Sequence, residues 1–599
     1  MTTSASVPEP AHAPRRSMLA VLGQYLGPLK WFVALLAALL LSATGLSLFL
    51  PQLMRRFVDN AKLLDGADPG LLTRLALTYI ACAVAVQLLN AGATYVGARV
   101  GWTATNRLRA DLMAHLLGLD MREHKERTPG EMIERIDGDV TALSNFFSQF
   151  AVRVFGATLL LLGSLVMFFR EDARVGGAVL VFTLVTLYAM NRVRQLGVEP
   201  TRQEREASAK LFGFVEERLT GLEDIRALGA GGHHLNAFLR TQREFFHRST
   251  RSWMRRSIVW QLSMLLFAVG YTGLLAAAIG LYAAGAITLG TAFLLYQYMS
   301  MIEEPIDQLT QQLQDLQKAG ASLGRVAELL ALRSDIHGGT TPLPGGRLAL
   351  EFRDVTFDYE PDPERPDARP VLGGVTFHLP AGQTVGLLGR TGSGKTTLTR
   401  LISRLYDPTS GSVRLGGVDV RDVPLSELRT RVAVVTQDVQ LFQASVRDNL
   451  SFFDPSVTDE QVEAALLEVG LGRWLDRLPD GVRTPLPAGS LSAGEAQLLA
   501  FARVMLRDPD VIILDEPSSR LDPATEALLT SAMTRLLSGR TAIIIAHRLD
   551  TVARADRILV LGAGEVLEDG ARDDLARDPR SEYAALLRAG ANVEDGVLA

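Results

Sequence analysis

Gly389-Arg390-Thr391-Gly392-Ser393-Gly394-Lys395-Thr396 places glycines, a lysine and a hydroxyl at the spacing that cradles nucleotide phosphates, Gly-x-x-x-x-Gly-Lys-Thr. An apolar run, Thr384 to Leu388, precedes the loop and reads as a buried strand. Leu398 to Ile402 follow it and read as a helix. That strand–loop–helix context gives the motif its meaning. The glycines let backbone N–H groups turn inward around phosphate oxygens, and the helix N-terminus adds positive potential. Lys395 supplies a point charge for the β- and γ-phosphates, and Thr396 a hydroxyl ligand for Mg²⁺. Gly389, Thr391, Gly392, Ser393, Gly394 and Thr397 complete the loop's cofactor-binding set.

A second apolar run, Val511 to Leu514, ends in Asp515-Glu516. Ligands of parallel sheets bind outside the carboxyl ends of the strands. Asp515 is therefore placed to hold Mg²⁺, directly or through water, and Glu516 to polarise an attacking water as general base.

Other elements must position these groups. The chain has 599 residues, of which 21% are charged, and a mean hydropathy of +0.16. The charges are unevenly spread. Ser257 to Ile302 contains no Asp, Glu, Lys or Arg. A bilayer core takes about 20 apolar helical residues, so this run fits two spans joined by a turn at Ala284–Thr288. Trp31–Pro51 and Leu75–Ala98 are also charge-free, and Val154–Phe169 and Val175–Asn191 are shorter runs split by Arg170-Glu171-Asp172. Six spans are expected, at 31–55, 72–100, 146–169, 174–194, 257–284 and 288–312. The first apolar run starts too late and is too long for a signal peptide. Lys and Arg crowd 99–135 and 192–256, which puts those segments and the N-terminus in the cytosol. The stretches 101–145 and 195–256 read as membrane helices continued into the cytosol, turning near Thr128-Pro129-Gly130 and Gly229–Gly232. The net charge of −5 only averages basic loops with an acidic remainder. The single cysteine, Cys82, lies in the second span, so no intrachain disulfide can form.

A Pro/Gly-rich linker, 336–348, separates this membrane domain (1–335) from a second domain at 349–585, with a tail at 586–599. In the second domain, strands at 350–352, 384–388, 432–435, 511–514, 542–545 and 557–561 alternate with helices. That pattern predicts an α/β domain with a largely parallel sheet. The expected fold class is multidomain: an all-α six-helix transmembrane domain with long cytosolic extensions, then an α/β P-loop ATPase domain.

The domain from 349 to 585 resembles the ATPase domain of ABC transporters. Tyr359 matches the aromatic that stacks on adenine. Gln437, in Val-Val-Thr-Gln-Asp, matches the Q-loop glutamine that contacts Mg²⁺ and the membrane domain. Leu491-Ser492-Ala493-Gly494-Glu495 matches the signature segment, whose Ser492 and Gly494 face the ATP held by a second chain. Ser519-Arg520-Leu521-Asp522 matches the D-loop, and His547 the switch histidine on the γ-phosphate. Six spans ahead of one such domain resemble an exporter-type half-transporter. Thr128–Ile136 resembles the segment forming the first coupling helix, and Gly221–Gly229 the region leading to the second. The resemblance implies ATP and Mg²⁺ as cofactors, Glu516, His547 and Gln437 as catalytic groups, and Thr396, Gln437 and Asp515 around the metal. It further implies a multipass protein of the cytoplasmic membrane, with its ATPase domain in the cytosol. It implies that two chains close two ATP sites and export a lipid, drug-like compound or peptide, with membrane lipids and not nucleic acid as partners. An importer on the same scaffold, for siderophore or cofactor uptake, is the alternative.

The sequence departs from the family's Leu-Ser-Gly-Gly-Gln at Ala493 and Glu495, and the D-loop carries Arg520 where a small residue is usual. Thr484–Ser490 lacks the acidic residue common ahead of the signature. Glu495 either weakens ATP capture at the site this chain completes or points away from it. Lys395, Asp515, Glu516 and His547 are intact. Heterodimeric relatives divide labour this way, so a heterodimer is favoured over a homodimer. Glu303, Glu304 and Asp307 flank Pro305 in the last span, where they line a cavity for cationic substrates or sit at the cytosolic edge.

Overall fold

The computed structural model describes residues 23–61, 68–146, 148, 151–359, 369–487, 489–515, 523–546 and 549–588. These divide into two compact units, one within Met1–Leu117 and Pro129–Leu332, the other within Gly118–Thr128 and Arg333–Ala599.

The first unit is helical. Among the described residues, five helices are long and apolar enough to cross a membrane: Gly23–Ala61, Pro69–Gly118, Val152–Glu171, Ala173–Thr220 and Gly231–Ala283. The sixth expected span is the first part of the helix Leu289–Ala331. Gln297, Glu303, Glu304 and Asp307 make it more polar than the other five. It is packed with them all the same: Leu294, Leu295, Tyr298, Met299, Ile302 and Ile306 share one core with Phe168 and Phe267. Outside that core, Leu77, Ile80, Val84 and Leu88 lie exposed along one helix. Such a surface suits hydrocarbon, where apolar side chains facing outward carry no penalty.

Three helices run well past the bilayer, with 50, 48 and 53 residues. At about 1.5 Å per residue each is roughly 75 Å long, more than twice the hydrocarbon thickness. The predicted extensions are thus continuous helices. Their turns fall where glycine permits them. Gly285 (φ +69°) turns the chain after Ala283, and Gly229 (φ +63°) follows the short helix Leu222–Ala227. At the end of the bundle away from these extensions, Arg55 pairs with Glu171 at 2.8 Å. Asp59 there accepts from the Gly290 N–H at 2.8 Å, capping the last helix.

Among its described residues the second unit holds two sheets. Strands β1 (Leu350–Phe357), β2 (Leu372–Leu379), β4 (Ser410–Leu415) and β5 (Val418–Asp419) form an antiparallel sheet in the order β2-β1-β4-β5. Strands β3 (Thr384–Gly389), β6 (Val432–Val435), β7 (Val511–Asp515), β8 (Thr541–Ile545), β9 (Arg557–Gly562) and β10 (Glu565–Ala571) form the other, ordered β10-β9-β3-β8-β7-β6. All its pairs are parallel except β9–β10. Val511 to Leu514 and Thr541 to Ile545 are buried throughout, because a parallel sheet is covered on both faces. The six strand runs predicted from sequence are all present. The Pro/Gly-rich segment 336–348 lies against this unit: Gly339 N–H donates to Val423 at 3.0 Å, and Leu343 is buried in its core.

Candidate nucleotide site

The loop after β3 has the geometry its glycines predict. Gly389, Gly392 and Gly394 adopt φ of +152°, +83° and +101°. At Gly389 any side chain would collide with the Leu561 carbonyl, and at Gly394 with Leu372. The helix Lys395–Ile402 starts directly behind them. Lys395 is buried, and its Nζ donates to the Gly389 carbonyl at 2.7 Å and the Arg390 carbonyl at 3.1 Å. Ser393 is buried too, and its Oγ has no hydrogen-bond partner among the described residues. A buried hydroxyl without a partner is costly unless a ligand completes it. The glycine cradle, the folded-back lysine and this hydroxyl fit a bound phosphate chain.

β3 and β7 flank β8 in register, with Leu387 and Asp515 both opposite Ile545. Their carboxyl ends thus lie one strand apart. Thr396, Gln437 and Asp515 line one cleft of about 810 Å³. A hydroxyl, an amide oxygen and one carboxylate are oxygen donors of the kind Mg²⁺ shares with phosphates. The residues present therefore fit the ion. Glu516, Arg520, Asp522 and His547 lie outside the described residues.

Tyr359 follows β1 and is held from several sides. Its hydroxyl accepts from Arg400 Nη1 at 2.8 Å and lies 3.1 Å from Thr397 Oγ1. Its ring meets Phe357 and Tyr406 edge-on. Thr397, expected among the cofactor-binding groups, is thus also in contact with the tyrosine. Lys125 Nζ sits 4.5 Å over the Tyr359 ring. Sequence reasoning missed Lys125 and Arg400, since only the fold brings them to the aromatic.

Ser492 is the N-cap of the helix Ala493–Arg507, with Glu495 closing a capping box. Ser492 and Ala493 are exposed while Gly494 is buried. Deeper on this helix lies Arg503, also missed from sequence. Its Nε donates to the Asn449 carbonyl at 2.8 Å and its Nη1 to the Gln440 carbonyl at 2.9 Å. Burial, with Arg507 nearby, pulls its guanidinium down to about 10. A charge on an otherwise apolar helix face (Leu498, Leu499, Phe501, Ala502) was the available signal. Arg503 ties the signature helix to the segment following Gln437.

The short helix gathered with the ATPase unit is Met121–Glu126, inside Gly118–Thr128, whereas Pro129 onward belongs to the helical unit. The stretch Thr128–Ile136, expected to form the first coupling helix, begins at this division. The reason is local. The long helix ends at Gly118, Asp120 caps the new one by accepting from Glu123 N–H at 3.4 Å, and Pro129 opens the next helix.

The fold and the loop define a membrane-spanning, P-loop nucleotide-binding protein. Comparison with known proteins narrows that class. The family described as ABC transporter transmembrane region matches residues 32–305, and the ABC transporter family matches 372–519. The chain is 30% identical over 557 residues to the uncharacterized ABC transporter ATP-binding protein YknV of Bacillus subtilis, covering 92% of this chain and 90% of that one. It is 32% identical over 562 residues to the multidrug efflux ATP-binding/permease protein of Mycobacterium bovis. That match covers 93% of this chain and 46% of the relative, so the chain spans about half of that protein. The fold is that of a bacterial Atm1-family ABC exporter solved with ATP bound, with a TM-score of 0.78 at 24% identity, over 94% of this chain and 98% of that one. The chain belongs to the ABC transporter family. It is an exporter-type half-transporter, a multipass membrane protein whose cytosolic ATPase domain couples ATP hydrolysis to transport.

Proposed function

We propose that this chain is one half of a two-chain pump that exports a lipid, a drug-like compound or a peptide across the cytoplasmic membrane. The observation that carries the ATP site is the loop at Gly389–Thr396: buried Lys395 folded onto its carbonyls beside a buried Ser393 hydroxyl with no hydrogen-bond partner among the described residues. Lys395 holds the β- and γ-phosphates. Thr396, Gln437 and Asp515 hold Mg²⁺, which would neutralise the phosphate charge. Tyr359 stacks the base. Glu516 takes the proton of the attacking water, and His547 contacts the γ-phosphate. Ser492, Gly494 and Asp522 act on the ATP held by the second chain.

The partner we favour is a different half-transporter, with a full Leu-Ser-Gly-Gly-Gln signature and a replaced catalytic glutamate. The altered Ala493 and Glu495 beside the intact Glu516 and His547 support that division. The multidrug-efflux relative supports the export reading. Transport of a compound library into inside-out and right-side-out vesicles tests direction and substrate together; ATP-dependent uptake by inside-out vesicles is expected. Uptake restricted to right-side-out vesicles contradicts export. A stable, fully active homodimer of this chain alone contradicts the unequal pair.

A further inference from the structure

We infer that Glu495 is a positioning residue that withholds Ser492 from the second chain's ATP. The inference rests on the two-chain ATP site proposed above. Three hydrogen bonds join the two residues. Glu495 N–H donates to Ser492 Oγ at 3.2 Å. Ser492 N–H donates to Glu495 Oε2 at 2.9 Å. Ser492 Oγ–H donates to that same carboxylate oxygen at 3.0 Å. A serine hydroxyl owns one proton. With the proton on Glu495, the exposed hydroxyl turns only lone pairs toward an approaching phosphate. The Ser492 N–H is engaged as well.

The charge compounds the geometry. A helix N-terminus attracts anions through its dipole and its unpaired N–H groups. A carboxylate in the first turn already fills that role, and it repels the triphosphate the signature helix is meant to receive. A glutamine at this position keeps the capping box, because its carbonyl oxygen accepts the same N–H. It is neutral, however, and its amide brings two donors where a carboxylate has none. ATP capture on this helix therefore requires the Glu495 side chain to swing away from Ser492, a step that its charge makes harder.

The test uses the full-length chain, with any subunit that co-purifies, in lipid nanodiscs. A fluorescent ATP analogue is titrated in a Glu516→Gln background so that nucleotide is not consumed. Glu495→Gln is expected to tighten binding roughly tenfold, the scale of one hydrogen bond to a charged group regained. The melting temperature should not move, because the cap survives. In a Ser492→Ala background the same substitution should change little. Unchanged affinity in Glu495→Gln overturns the inference, and so does a gain of equal size without the serine. Lys395→Ala separates the two levels: if that variant binds the analogue like wild type, the ATP site itself is misassigned, whatever Glu495 does.

Discussion

Lys395 combines burial, a charge and two backbone acceptors at the mouth of the glycine loop. Its bonds to the Gly389 and Arg390 carbonyls hold the ammonium where phosphate oxygens would meet it. Lys395→Ala should weaken ATP binding by about 2 kcal/mol, roughly thirtyfold, the size of a lost charged hydrogen bond. Unchanged affinity in a calorimetric titration would count against the assignment. This loop was legible in the sequence because glycine spacing encodes backbone conformation directly, and Gly389, Gly392 and Gly394 do take positive φ. The surroundings of Tyr359 were not legible. Lys125 and Arg400 reach the ring through the tertiary fold, and nothing in their local sequence marks them.

At the scale of elements, the parallel strands were readable, and of the antiparallel sheet only β1 was. β6, β7 and β8 are unbroken apolar runs, which a sheet covered on both faces demands. β2 and β4 alternate buried and exposed positions and carry glycines, so they merge with turn signals. The signature helix depends on Arg503, which is nearly enclosed and bonds to Asn449 and Gln440. Arg503→Ala removes the packing and leaves two carbonyls without donors. It should cost about 3 kcal/mol, read as a lowered melting temperature of the ATPase domain. A melting temperature within a degree of wild type would contradict this.

The helical unit has its own lock. Asp139, in the π-helical turn Glu134–Asp139, is buried and pairs with Arg325 of the last helix through both carboxylate oxygens. Burial pushes the Asp139 carboxyl up, but the hydrogen bonds and charge of Arg325 outweigh it and leave it below the usual carboxylate range. A carboxylate depressed in the folded state stabilises the protein above its unfolded pKa of about 3.9, and that contribution disappears as pH falls through the folded value. Asp139→Asn should therefore lower thermal stability at pH 7, and the difference from wild type should shrink toward pH 3. A gap of constant size across that range would exclude the linkage.

At the scale of the molecule, hydropathy and charge located the membrane domain, and the motif order located the ATPase domain. The short helix Met121–Glu126 was not read from the sequence. Gly118–Thr128 belongs with the ATPase unit although a helix of the membrane domain leads into it. A six-residue helix between two breaks leaves too short a periodicity to register in sequence. Topology is testable apart from chemistry. In a Cys82→Ala background, Ala67→Cys should react with an impermeant thiol reagent in intact cells and Ser208→Cys should not. Labelling at position 208 would reverse the orientation derived from the Lys/Arg distribution.

The central claim is the proposal that Glu516, next in sequence after the strand Val511–Asp515, is the catalytic carboxylate acting on ATP held by the loop at Gly389–Thr396, and that this hydrolysis drives the membrane domain. The direct measurement is the steady-state ATPase rate of the lipid-reconstituted protein beside its ATP affinity, for wild type and Glu516→Gln. Loss of a general base removes about 10² to 10⁴ in rate while leaving the phosphate contacts in place. The predicted result is a collapse of turnover with ATP affinity preserved. Near-normal turnover in Glu516→Gln would contradict the account.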